Sequence, residues 1–418
     1  MADITNIVNT ILANGSTEYQ SRVPLATKTN IAEVANPILT YSGVQNEFLA
    51  SLINKIAMQE IRARIWENPL AVLKKGRKPL GFDIESSHVN PATDEGFGSG
   101  ADLLTKKTPD VKTEYFRLNR QGLYTVTVEE DKLRHAMQSW ENLEKFTLGI
   151  VNSLYSGDYI DEFILMKNTM ADAIMNQKMI TAGVTAMSDE ATGKSFLTAL
   201  KNASSGFTYP GTSFNAYSKI VGPGPTAITT WTPKENQILV IRSDALNFLD
   251  VNVLASAFNM DKAQFLARTV EVDNFGSMSG VLGILMDDAA LQVWDDKDEM
   301  RDWVNPKGLY TSYFWHHWQT YAYSVMCNAV AFVTDTTAPA APVITAPGAT
   351  DVKVTGTGEV GAIVFVTIGM ETRSGTVDAS GDFEVGDFTA MVLGDTVTAY
   401  QVDASGNKSP VDTEAVTA

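Results

Sequence analysis

Residues 308–333 read Gly-Leu-Tyr-Thr-Ser-Tyr-Phe-Trp-His-His-Trp-Gln-Thr-Tyr-Ala-Tyr-Ser-Val-Met-Cys-Asn-Ala-Val-Ala-Phe-Val. Tyr313, Trp315, His317, Gln319, Tyr321 and Tyr323 recur at every second position, the period of a strand. A helix would need apolar residues three and four apart. The stretch is therefore expected to be a long aromatic strand region. Within it, Phe314 to Val333 is the most apolar long stretch of the 418 residues, but His316, His317, Gln319 and Asn328 make it a poor membrane span. Just beyond it, Thr334-Asp335-Thr336-Thr337-Ala338-Pro339, with Pro342 and Pro347, marks the clearest domain boundary.

Composition shifts across that boundary. The formal charge of the whole chain is −17. From residue 337 onward there are three basic residues (Lys353, Arg373, Lys408) and eleven acidic ones, a net of −8. The tail reads as short strands between turns. Ala362 to Ile368 is a buried-type run, Ser380-Gly381-Asp382 is a turn, and Thr396 to Val402 is a strand closed by Ala404-Ser405-Gly406-Asn407. Such spacing predicts a small β-sandwich. The tail also resembles the immunoglobulin-like repeats of bacterial surface adhesins, through Asp335-Thr336-Thr337-Ala338-Pro339, Val354-Thr355-Gly356-Thr357-Gly358 and Asp403-Ala404-Ser405-Gly406-Asn407-Lys408-Ser409.

Upstream, helices and strands are mixed. Residues 1–45 are polar, broken by Pro24 and Pro37, and are expected to be an extended arm. Phe48 to Ile65 has helical spacing. Residues 68–112 carry four prolines and five glycines and are not apolar enough for a core of their own. Ser139 is placed to cap a long helix, with Trp140, Leu143, Phe146, Ile150 and Leu154 on one face. Its apolar stripe breaks at Gly157-Asp158, where a bend is expected. Residues 181–235 are rich in Gly, Ser, Thr and Pro, Gln237 to Ile241 is a buried strand, and Asp244 is placed to cap a helix carrying Leu246, Leu249, Val253 and Ala257.

Candidate chemistry is thin. Gly193-Lys194-Ser195 lacks the first glycine of a phosphate-binding loop, since Ser188 stands there, and is expected to be a surface loop. His316 and His317 point to opposite faces of a strand and cannot share one metal, so one is expected packed and the other exposed. Asp287-Asp288 and Asp295-Asp296-Lys297-Asp298-Glu299 lack the ladder of a calcium loop and read as solvated turns. Cys327 stands alone, so no intramolecular disulfide forms. The N-terminal residues lack the basic and apolar regions of a secretory signal. No catalytic, cofactor or metal site is assigned, and no enzyme activity is expected. Lys74-Lys75-Gly76-Arg77-Lys78 is the one basic run; in an acidic chain it suits salt bridges between subunits better than nucleic acid.

Several stretches of the first 336 residues resemble the major capsid proteins of small podoviruses of the phi-29 type. They are Val23-Pro24-Leu25-Ala26-Thr27 with Asn30-Ile31-Ala32-Glu33-Val34, Asn68-Pro69-Leu70 leading to Pro79-Leu80-Gly81, and Asn119-Arg120-Gln121-Gly122. Asp250-Val251-Asn252-Val253-Leu254-Ala255, Asn305-Pro306-Lys307-Gly308-Leu309-Tyr310 and Asn328-Ala329-Val330-Ala331-Phe332-Val333 continue the series in the same order.

The resemblance implies an α+β chain: a Hong Kong 97-type phage capsid fold followed by an all-β immunoglobulin-like sandwich. Residues 1–45 would be the N-terminal arm, 46–336 the capsid core and 337–418 the Ig-like domain. Within the core, 68–120 would be the extended loop and 139–178 the spine helix of the peripheral domain. Residues 181–300 would be the axial domain, and 301–334 would return to the peripheral domain. The implied partners are copies of the chain in pentamers and hexamers, a scaffolding protein during assembly, and a portal protein at one vertex. The enclosed DNA would be held without sequence-specific binding, no membrane is involved, and the Ig-like domain would meet head fibres or host glycans. Lys74, Lys75, Arg77, Lys78, Arg117 and Arg120 are expected at contacts between subunits, and charge reversal at Lys74 and Lys75 is expected to block assembly without unfolding the subunit. A phage fibre or adhesin would instead carry an anchor or tandem sandwiches. An encapsulin-like shell would lack the Ig-like tail.

Overall fold

The computed structural model describes residues 4–56, 66–79, 81–92, 108–222, 226–252 and 268–417. The second half of the helix expected over Phe48–Ile65, the middle of the 68–120 segment, and Val253 and Ala257 lie outside these residues.

In chain order the helices are α1 Ile4–Asn14, α2 Thr17–Arg22, α3 Ile31–Thr40, α4 Ser42–Ile56, α5 Glu130–Ala136, α6 Trp140–Met175, α7 Glu190–Phe207, α8 Ala216–Val221 and α9 Ser243–Asn252. The strands of the first part are β1 Lys74–Arg77, β2 Ile84–Val89, β3 Val111–Phe116, β4 Arg120–Glu129, β5 Ile180–Gly183 and β6 Gln237–Arg242. Then follow β7 Thr269–Val272, β8 Val281–Asp287, β9 Leu291–Asn305, β10 Tyr310–Tyr323 and β11 Ala329–Val333. The tail holds β12 Val343–Thr345, β13 Val354–Thr357, β14 Ile363–Ile368, β15 Glu371–Thr376, β16 Asp382–Val385, β17 Thr396–Val402 and β18 Asp412–Ala415.

The chain divides into two compact units. The first comprises residues 1–84, 115–165 and 293–321. Its sheet has the order β1-β9-β10-β4, with β1 parallel to β9 and β10 antiparallel to β4. The extended arm expected over residues 1–45 is instead three helices and the start of a fourth. Ile4, Ile7, Val8 and Ile11 stand three and four apart and are buried, as are Tyr19, Val34 and Ile38. Short helices of this kind draw their stability from the apolar face they bury, which a weak local pattern hides. The helix α6 starts where Ser139 accepts the Asn142 N–H at 3.2 Å. It does not break at Gly157-Asp158; 36 residues run on to Met175.

The second unit comprises residues 85–114, 166–292 and 322–418. A five-stranded sheet, β5-β11-β8-β6-β7, is covered by α7 and α9. Phe196, Leu197, Leu200 and Phe207 of α7 are buried against Leu285 and Phe332. Each such side chain contributes about 1.5–3 kcal/mol by leaving water. The Gly193-Lys194-Ser195 run is not a loop. It lies in the first turns of α7, behind a capping box in which Asp189 Oδ1 accepts the Thr192 N–H at 2.8 Å. The expected cap at Asp244 is also displaced: α9 begins at Ser243, and Asp244 sits in its first turn, paired with Arg242. The long strand region over 308–333 is two strands in separate sheets, β10 and β11. The tail forms two sheets, β12-β13-β16 and β15-β14-β17-β18, around Val364, Val366, Phe383, Val397 and Ala399. Two of these strands, β15 and β18, are mostly polar on the outside and carry little alternation.

Candidate functional site

The long strand β10 brings His317 and Gln319 inward, and β4 pairs beside it with Gly122 opposite His317. A Cβ on Gly122 would stand 2.8 Å from the His317 carbonyl oxygen, so this close approach requires glycine. The helix α6 supplies Asp158 and Glu162, four residues apart and hence on one face. The strands β1 and β9 supply Lys74 and Asp295. The cluster lies wholly within the first unit.

Its charges interlock. Arg120 Nη2 lies 2.8 Å from Asp158 Oδ1, and the same guanidinium donates to Gln319 Oε1 and to the hydroxyls of Tyr124 and Tyr321. Asp158 Oδ2 is 2.8 Å from His317 Nδ1, and His317 Nε2 is 3.3 Å from Asp295 Oδ1. Gln319 Nε2 donates to Glu162 at 2.8 Å and Asp295 at 2.7 Å. Lys74 Nζ lies 2.8 Å from Glu162 and 3.2 Å from Asp295. Glu162 also accepts from Asn68 Nδ2 at 2.7 Å, and Asn68 Oδ1 accepts the Leu70 N–H at the start of the 3-10 turn Pro69–Leu73. A second pair sits alongside, with Lys78 Nζ 3.0 Å from Asp296 Oδ1 while Asp296 Oδ2 accepts from Thr320.

Burial makes these pairs matter. Asp158 and Glu162 are at most 1% exposed. Burial alone would lower the His317 pKa, but hydrogen bonds to Asp158 and Asp295 overcome it and raise it to about 9. Burial opposes ionisation of Asp295 too, yet His317, Gln319 and Lys74 hold its carboxyl well below the usual range. The cluster sets three basic side chains (Arg120, Lys74 and His317) against three acidic ones (Asp158, Glu162 and Asp295). Trp315 stacks on His317, with ring centroids 5.3 Å apart and planes 4° from parallel. This arrangement clamps β1, at the foot of the 68–120 segment, onto α6 and the sheet.

The six basic residues singled out in the sequence separate into two groups. Lys74, Lys78 and Arg120 are engaged inside the chain. Lys75 and Arg77 occupy the alternate, exposed positions of β1, and Arg117 is exposed and lies 3.0 Å from Asp83. Charge reversal at Lys74 therefore tests the fold of the subunit, and reversal at Arg77 and Arg117 is the cleaner test of assembly. Asp295 and Asp296 are not on a solvated turn; they lie on β9 as counterions to the buried bases. His317 is packed, and His316 is partly exposed on the opposite face. Asp158, Glu162 and Asn68 were not identified from sequence. The signal for the first two was the break in the apolar stripe of α6. Among the described residues no helix is long and apolar enough to cross a membrane, and no group of His, Cys, Asp and Glu is placed to hold a metal ion.

Comparison with known proteins gives two family matches. The Phi29-like phage major capsid protein model matches residues 8–333, and the bacterial Ig domain model matches residues 338–417. The major capsid protein of Bacillus phage PZA is 34% identical over 374 residues, 88% of this chain and 81% of that protein. That of Streptococcus phage Cp-1 is 29% identical over 336 residues, 75% of this chain and 89% of its own. The capsid structure of Staphylococcus phage Andhra superposes with a TM-score of 0.55 at 12% identity, over 65% of this chain and 85% of that one. At that identity the likeness shows the fold, a phage capsid fold.

Proposed function

Because the chain belongs to the Phi29-like phage major capsid protein family, we propose that copies of it close into the head shell of a tailed bacteriophage around the double-stranded DNA genome. The chain is a virion protein with a Hong Kong 97-type capsid fold and a C-terminal Ig-like domain, and it associates with itself. The observation that carries the proposal is the extent of the family match, from α1 to the end of β11. Its role is structural rather than catalytic: the charged groups of the buried cluster are engaged with one another, which fits a clamp.

Residues 68–120 act as the extended loop lying over a neighbouring subunit, and the cluster holds its foot. Residues 139–178 with 301–334 form the peripheral domain and 181–300 the axial domain. Subunits join as pentamers and hexamers, guided by a scaffolding protein and interrupted by a portal protein at one vertex. Weak contacts suffice, because each subunit meets several others in a closed lattice. The overall charge of −17 keeps the wall from holding packaged DNA tightly. The Ig-like domain meets head fibres or host glycans.

The exposed Lys75, Arg77 and Arg117 carry the contact between subunits. An Arg77→Glu, Arg117→Glu double variant is expected to give subunits with little changed thermal unfolding, since the Arg117–Asp83 pair it breaks is exposed, that no longer form closed shells by electron microscopy. Normal shells from this variant would remove those residues from the interface.

A further inference from the structure

The turn Asp403-Ala404-Ser405-Gly406-Asn407, an acidic turn of the tail, is organised by its own side chains. Asp403 Oδ1 accepts the N–H groups of Ser405 and Asn407, each at 2.8 Å, and Asp403 Oδ2 accepts from Asn407 Nδ2 at 2.8 Å. A turn stiffened in this way would ordinarily face solvent, yet Asp403 and Ser405 are about 5% exposed or less. What covers them is the capsid core, within the same compact unit.

Four contacts make the seat. The Gly280 N–H donates to the Ala404 carbonyl at 3.0 Å. The Gly280 carbonyl accepts from the Thr334 N–H at 2.9 Å, so one residue grips both the chain leaving the core and the turn returning to it. Gln177 Nε2 donates to the Gly406 carbonyl at 2.5 Å, and Asn407 Nδ2 donates to the Asp335 carbonyl at 3.1 Å. The surfaces meet without room for a side chain. A Cβ on Gly280 would lie 2.0 Å from Ser405 Oγ, and one on Gly406 would lie 2.4 Å from Ile174 Cγ2. Gln177 follows the end of α6 with φ +57°, a left-handed position where glycine or asparagine is usual. A glutamine held there is strained and calls for a compensating role. Its side chain has one in this seat.

We infer that Gly280 and Gln177 on the core and the 404–406 turn on the Ig-like domain form a docking interface between two modules of one chain. The domain is a rigid extension of the shell subunit and not a bead on the 334–342 linker. The β14–β15 tip, where Met370 is fully exposed, lies at the other end of the sandwich and is presented in one fixed direction.

Hydrogen exchange read by mass spectrometry on the unassembled full chain tests this without depending on shell formation. In the wild type, segments 276–281 and 403–407 are expected to exchange slowly. Gly280→Val on the core side and Ser405→Leu on the module side are each expected to speed exchange at least about tenfold in both segments, with β14 unchanged. This reciprocal effect distinguishes undocking from a local defect. Faster exchange confined to the substituted side would overturn the inference. So would unprotected exchange of 403–407 in the wild type, a result that stands even if a variant fails to fold.

Discussion

Replacing Asp158 by alanine is expected to destabilise the first unit by about 3–5 kcal/mol, the cost of leaving buried charges without a partner. One carboxylate serves both Arg120 and His317, and its side chain has no exposure to solvent. Removing it leaves the buried Arg120 guanidinium with only neutral acceptors and leaves His317 with Asp295 alone. Asp158→Asn keeps the volume but donates where acceptors are needed, so it should be nearly as damaging. The exposed Arg117–Asp83 pair is the control: Arg117→Ala should change stability by about 0–1 kcal/mol. Urea unfolding followed by tryptophan fluorescence reads both, because Trp315 stacks on His317 inside the cluster. A loss below about 1 kcal/mol for Asp158→Ala would mean that the cluster is hydrated and does not clamp the sheet.

The second large effect is a loss of stability in mild alkali. His317 has its folded pKa raised to about 9 from an ordinary value of 6.5. A raised value means that the folded state binds the proton more tightly than the unfolded one. The contribution is therefore fully present below pH 6.5 and disappears as pH rises through 9. Its size is on the order of 3 kcal/mol, from about 1.4 kcal/mol per pH unit of difference. The groups facing His317 are Asp158 from α6, Asp295 from β9 with Lys74 of β1 bound to it, and Arg120 from β4 through Asp158. Asp295 works in the opposite sense: its lowered pKa gives a contribution present above about pH 4 and lost only in strong acid. Stability measured between pH 6.5 and 9.5 should fall in the wild type and stay nearly flat in His317→Gln, which starts lower. Parallel curves for the two proteins would assign the alkaline loss to another group.

Much of the fold was legible because it is written in local periods. The alternation of β10, the Ser139 cap and the boundary after Thr334 each depend on residues close in sequence. The cluster was not legible, for the same reason. Asp158 is polar inside an apolar helical stripe, and local reading makes that a bend. Its partner Arg120 lies 38 residues away, and Lys74 meets Glu162 across 88 residues. Only the folded chain shows that the interruption is a face prepared for buried charge. The acidic run at 295–299 misleads similarly, since its first two members turn inward on β9. Lys74-Lys75-Gly76-Arg77-Lys78 reads as one basic patch, yet strand alternation with a bulge at Gly76, whose φ is +104°, sends Lys74 and Lys78 inward and leaves Lys75 and Arg77 outside. The N-terminal helices hide their apolar face among polar residues, and the long-range packing that stabilises them is absent from any local window.

The central claim, that this chain builds a closed shell from copies of itself, is tested most directly by electron microscopy of the purified full-length protein, alone and with a scaffolding protein from the same source. Closed shells, or rings of five and six subunits, are the predicted result. A folded protein that stays monomeric in every condition, scaffold included, would contradict it.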